Sequence, residues 1–151
     1  MTDVDDVRPD LTLAEVGRLE EIVDRDALAE VCRSFFDLFS LPVRVLSQEG
    51  TLLADVHESR EICRYVNTLD RGQAACSALV AEVKGLEPEG GAVEHACFTG
   101  AVYRVVPIDY QGRRLGRFVL GPYLPAEREE VPRSLLVVDP GIEAERAREA
   151  L

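Results

Sequence analysis

Lysine is almost absent from this chain: of 17 lysines and arginines, Lys84 is the single lysine, and His57 and His95 are the two histidines. The arginine excess reads as a compositional bias and implies no partner. The scarcity of histidine leaves few candidates for a general base. Catalytic signatures are missing as well, with no Gly-x-Ser-x-Gly elbow, no phosphate-cradling glycine loop and no His-Glu-x-x-His pair. These absences point away from an enzyme. No apolar run approaches the ~20 residues that cross a bilayer, and Met1 to Asp10 is acidic, without the basic start and apolar stretch of a signal peptide. No membrane insertion is expected, and the compartment expected is the cytoplasm. Positive charge is in deficit, 28 acidic residues giving a net charge of −11, which repels phosphate backbones and argues against direct nucleic-acid binding.

What is present fits one domain, since a chain of 151 residues buries roughly two thirds of its unfolded surface in a single core. Thr12 and Glu15 form a capping box ahead of Val16, Leu19, Ile22 and Val23, predicting a first helix to about Asp24. From Asp26, the residues Leu28, Val31, Cys32, Phe35, Phe36 and Phe39 make a helical apolar stripe that Pro42 ends. Val43 to Leu46 and Thr51 to Val56 flank Ser47-Gln48-Glu49-Gly50 and read as a hairpin. Glu58 to Asn67 reads as a short helix, and Asp70 as the cap of a longer one that Gly85 ends. Ala92 to Phe98, Ala101 to Tyr110 and Arg113 to Leu120 then read as three strands. Five strands with inserted helices predict an antiparallel α+β domain.

Asp139-Pro140-Gly141 reads as a helix start, with Ile142 to Leu151 continuing it without a stop signal. The expected division is therefore 1–11 as a flexible acidic lead, 12–138 as the domain, and 139–151 as the beginning of a helix cut short of a downstream output module. Ile142, the alanines at 144, 147 and 150, and Leu151 offer a narrow apolar seam for a partner helix in a homodimer.

Four cysteines in a reducing compartment are thiols, metal ligands or redox switches before they are disulfides. Cys32, within the apolar stripe, reads as a small buried hydrophobe. Cys63 and Cys76 lie on helical stretches and Cys97 at the head of the last strands. With His95 two residues before Cys97, the four make a candidate zinc or iron site, although no tight Cys-x-x-Cys pair supports it. Pocket-lining thiols and a redox switch stand beside that reading. A Cys97 nucleophile activated by His95 is disfavoured, because same-face residues of one strand lie about 6–7 Å apart at the backbone. Arg104 and Arg117 fall in strand runs from which a guanidinium can reach a carboxylate, or equally face solvent. His57 reads as a solvated loop histidine.

The ordered set Phe35-Phe36-Asp37-Leu38-Phe39-Ser40-Leu41-Pro42-Val43, Val45 to Gly50, cysteines 63, 76 and 97, Cys97-Phe98-Thr99-Gly100, Val106-Pro107-Ile108, Gly112, Leu115-Gly116 and Gly121 resembles the PocR-type sensory domain. That family is a PAS-related ligand-binding module of bacterial regulators and kinases. The resemblance covers about Ala14 to Leu151. It implies a PAS-like fold and a pocket for a small organic molecule, with Cys63, Cys76, Cys97, Phe98, Tyr103 and Arg117 as candidate ligand-binding residues. Two positions depart from the family pattern: Phe98 stands where a histidine usually follows the third cysteine, and Pro122 where a glutamine usually follows the last glycine. On those departures rests the alternative of a degenerate PAS-like module kept for dimerisation or protein docking.

Overall fold

A computed structural model describes residues 17–127 and 130–151. The Thr12–Glu15 capping box lies outside the described residues. Helix α1 is the single turn Leu19–Ile22, closed by the Glu21 carboxylate, which accepts from the Arg18 N–H at 3.0 Å. Helix α2, Arg25–Phe39, is capped by Asp24, whose carboxylate accepts from the N–H groups of Asp26 and Ala27, both at 3.0 Å. It ends at Ser40 in the left-handed region, just before Leu41-Pro42.

Strands β1 (Val43–Ser47) and β2 (Leu52–Val56) form the expected hairpin, with Gly50 at positive φ in its turn. Every residue of β1 is buried, which a strand achieves only with neighbours on both edges and cover on both faces. The second neighbour is the last strand. β3 (Val93–Ala96), β4 (Val102–Tyr110) and β5 (Arg113–Tyr123) form a meander, and β5 pairs with β1 from Val43↔Leu120 to Ser47↔Gly116. The sheet order is β2-β1-β5-β4-β3, antiparallel throughout. The fold is α+β and PAS-like, as expected.

Each face of the sheet has its own core. On one, Val43, Val45, Ala54 and Val56 pack with Leu19 of α1 and with Leu28, Cys32, Phe35 and Phe36 of α2. On the other, Leu46, Tyr103, Val105 and Val119 pack against Val83 and Leu79. Those last two belong to α4, Asp70–Gly85. Helix α3, Glu61–Asn67, builds a third cluster with α5 (Arg133–Leu136) and α6 (Ala144–Ala150), in which Ile62, Tyr65, Val66, Leu135, Ala147 and Ala150 are buried. Among the described residues no helix is long and apolar enough to cross a membrane.

Several expectations shift. The stripe on α2 is only partly covered: Val31 and Phe39 are 66% and 65% exposed, because the helix lies over the hairpin and leaves Val106, Phe118 and Leu120 beside a wholly apolar groove of about 310 Å³. The run from Ala92 to Phe98 is strand only over Val93–Ala96, since Cys97 already starts the turn closed by the Gly100 N–H on its carbonyl. Asp139-Pro140-Gly141 is a turn and not a helix start, so the terminal helix begins at Ala144. Ala147 and Ala150, expected to await a dimer partner, are buried against α3 of the same chain.

Asp70 is not the cap of α4. The N-cap position is Leu69, which has no side chain to offer, and the free N–H groups of the first turn are met from 68 residues away by Asp139, whose Oδ2 accepts from the Arg71 N–H at 3.0 Å. Its Oδ1 accepts from the Gly141 N–H at 2.8 Å. These bonds, that of Gly141 foremost and then those of Arg71 and Gly72, hold the Asp139 carboxyl below the usual carboxylate range. A carboxyl lowered in this way contributes stability that is complete above its unfolded pKa and is lost as pH falls through the folded value. An Asp139→Asn variant is expected to melt below the parent at neutral pH, with the gap closing as the solution is made acid. Coincident melting curves at neutral pH would remove Asp139 as the cap.

Candidate functional site

The three cysteines come from three elements that meet on the α4 side of the sheet. Cys63 is in the first turn of α3, Cys76 in the second turn of α4, and Cys97 directly follows β3. The crossing of α3 and α4 is set by Gly72, where any Cβ would stand 2.2 Å from the Val66 carbonyl oxygen. Thr68 closes the corner, its hydroxyl donating to the Tyr65 carbonyl at 2.6 Å. Cys97 is held by the buried Thr99, whose hydroxyl donates to Cys97 Sγ at 3.2 Å, and by its own N–H on the Ala101 carbonyl at 2.8 Å.

Charge at one of these side chains is felt at the others. Burial pushes the Cys63 thiol up, and Cys97 and Cys76 push the same way against the pull of Arg60. Burial likewise pushes the Tyr103 phenol far above its usual range, with Cys97, Cys63 and Cys76 adding to it and Arg44 opposing. Cys63 is therefore a protonated thiol at neutral pH, poor as a nucleophile and suited to lining a wall. All three thiols are partly accessible, none is in a disulfide, and Cys32 is buried with its thiol raised by burial.

The remaining sequence candidates divide. Tyr103 is buried among Leu46, Val83, Val105 and Val119. Phe98 packs, with Cys63, on the cluster of Ile62, Tyr65 and Leu135. Arg117 is 5% exposed and is structural: Nε donates to the Lys84 carbonyl at 3.2 Å and Nη1 to the Ser47 carbonyl at 3.5 Å, so the guanidinium fastens the last turn of α4 to β1 and β5. Arg104 pairs with Glu94 in solvent, and the exposed His57 meets Asp55 Oδ1 at 2.7 Å.

His95 does not join the cysteines. Its Nε2 is 3.2 Å from Glu82 Oε1 and its Nδ1 is 3.1 Å from the Ala96 carbonyl, leaving neither nitrogen directed at Cys97. Among the described residues, no group of three or more histidine, cysteine, aspartate or glutamate side chains is disposed to hold a metal ion. The metal arrangement of Cys63, Cys76, Cys97 and His95 is corrected accordingly. Residues two apart on a strand do share a face, but a neighbouring helix offered His95 a carboxylate first.

A family model described as a sensory domain found in PocR matches residues 21–150. The chain belongs to the PocR sensory-domain family. No curated protein matches it. For this PocR domain the match identifies a sensory role, and the residues around the three thiols show what the sequence left unread. Arg44, one of four consecutive residues taken only as a strand, is buried on the same face as Leu46 and ion-pairs Asp55 at 3.2 Å. A charged residue set between Val43 and Val45 in a strand was the available signal. Thr99, taken as part of a separator between strands, is 2% exposed, and nothing in a Thr-Gly pair reveals that.

Two outcomes follow. The Cys63 and Cys32 thiols are expected to react with iodoacetamide more slowly at neutral pH than an unstructured cysteine, gaining rate only above the ordinary thiol range. Equal rates at neutral pH would overturn the raised Cys63 thiol. An Arg117→Met substitution is expected to lower stability by about 2–3 kcal/mol in denaturant melts, the loss of hydrogen bonds from a charged donor. A change within error would show that α4 is held without it.

Proposed function

We propose that this domain is a sensory input module that binds a small molecule beside Cys63, Cys76, Cys97 and Tyr103 and passes the change through α3 to the C-terminal helix. The observation that carries the reading is the two-sided packing of α3. Cys63 lies within electrostatic reach of Cys97 and Cys76 and also packs on the cluster in which Ile62, Tyr65 and Val66 of the same seven-residue helix are buried against Ala147 and Ala150 of α6. The Tyr65 hydroxyl also accepts from the Glu143 N–H at 2.9 Å at the start of α6, and Arg146 stacks over its ring. A ligand that prefers one placement of α3 then prefers one placement of α6, which is what population shift requires. Non-enzymatic action is part of the proposal, the output module and any homodimer lying beyond α6.

One observation favours the second reading, a degenerate module used for docking: Leu46, Val83, Tyr103, Val105 and Val119 fill the space between α4 and the sheet with the domain's own side chains. Native mass spectrometry of protein purified from its own host separates the two. The sensory reading expects a retained small molecule whose presence changes tryptic cleavage after Arg146 and Arg148. Ala147→Leu, overpacking the α3–α6 contact by about 1–3 kcal/mol, is expected to speed that cleavage and uncouple it from the ligand. Protein that carries no molecule, with cleavage unaltered by host metabolites, would leave the docking module.

A further inference from the structure

We infer that the outer flank of α2 and the open sheet beside it form a two-fold contact with a second copy of this chain, a surface separate from α6 and independent of what the domain senses. The solvent side of α2 is divided lengthwise. At helical spacing, Asp26, Glu30, Arg33 and Asp37 make one flank, exposed and charged as a solvated face is. Ala27, Val31, Ser34 and Leu38 make the other, also exposed but without a charge, with Val31 at 66% and Leu38 at 77%. Val31 and Phe35 line the groove of about 310 Å³, so the uncharged flank is the one that overlooks it. Val106, Phe118 and Leu120 give that groove an apolar floor. In a chain with 30% charged residues, a helix flank and a groove that are both free of charge join into one exposed apolar surface, the mark of a face that another surface covers.

The order of side-chain sizes along the flank selects the occupant. An isologous contact sets each residue of a patch against another residue of the same patch. With two α2 helices antiparallel about an axis between positions 31 and 34, Leu38 stands opposite the partner's Ala27, and Val31 opposite the partner's Ser34. Large therefore meets small along the whole row, which is how the ridges of one helix enter the grooves of another. The charged flank fails the same operation, since it sets Asp26 opposite the partner's Asp37. Pairing through the uncharged flank keeps those acids on the far side of each helix, a requirement for two copies that each carry a net charge of −11.

The test is sedimentation equilibrium of the whole chain at concentrations reaching about 1 mM, with circular dichroism as the check on folding. The parent is expected to dimerise reversibly. Leu38→Glu, at a side chain 77% exposed in the single copy, is expected to weaken the dimer by about 30-fold or more. Ala27→Lys is expected to weaken it as well, by filling the space that takes the partner's Leu38. Combining the two is expected to recover association, because the opposite charges meet only across the two-fold; within one helix these positions are about 16 Å apart, beyond the screening length. Glu30→Gln, on the charged flank, is expected to leave the association constant unchanged. If Leu38→Glu does not fold, Val31→Glu takes its place. The contact is overturned if the parent stays monomeric, if Leu38→Glu associates as the parent does, if Glu30→Gln weakens the dimer as much, or if the double variant is no better than the weaker single one. A monomer that excludes the apolar dye anilinonaphthalene sulfonate would have its groove covered by another segment of the same chain. A monomer that binds the dye would leave the groove to a different protein, and either result removes the second copy.

Discussion

The close approach of α3 to α4 at Gly72 is the constraint from which the rest of the domain takes its shape. With a Val66 carbonyl where any side chain would have to be, the two helices cross backbone to backbone, and Ile62, Tyr65 and Val66 of the short α3 are buried. Ile62, Tyr65 and Val66 go to the α6 cluster, and Cys63 packs on its edge within electrostatic reach of Cys97 and Cys76. Because Asp139 caps α4 from the segment that leads into α6, the same corner also fixes where the C-terminal helix begins.

Electrostatics in so acidic a chain are decided by a few buried groups and not by the surface. Exposed pairs such as Arg104–Glu94 and Arg148–Glu145 contribute little, since solvent screens them. Arg44 and Arg117 matter more because each is nearly withdrawn from water. Arg117 spends its donors on backbone carbonyls at the end of α4 and so works as a fastener between helix and sheet. Arg44 is neutralised by Asp55 without being hydrogen-bonded at Nε.

The outer side of the sheet shows where periodicity misleads. A helix with apolar residues at 28, 31, 32, 35, 36 and 39 is amphipathic wherever it lies, so the pattern predicts a buried stripe without saying how wide a sheet lies beneath. α2 sits over the hairpin, buries Cys32, leaves Val31 beside an open apolar groove and leaves Phe39 exposed. The C-terminal alanines mislead in the same way. Small residues at helical spacing permit close packing against any helix, and the helix they meet is α3.

Local chemistry in the sequence determined most of the elements: the proline that ends α2, the hairpin with its glycine, the Gln111-Gly112 turn, the buried run of β1 and the family motifs around the cysteines. These depend on a residue and its near neighbours, and they bounded the five strands to within a few positions. Tertiary structure alone decided what depends on distant partners. It paired the first strand with the last, gave α4 a cap from Asp139, turned His95 to Glu82 instead of to the thiols, buried Arg117 as a fastener and left Arg44 with an unmet donor. The reason is physical: a side chain's rotamer, burial and charge state answer to whatever lies within a few ångströms in space, and sequence spacing fixes that only within a helix turn or along a strand.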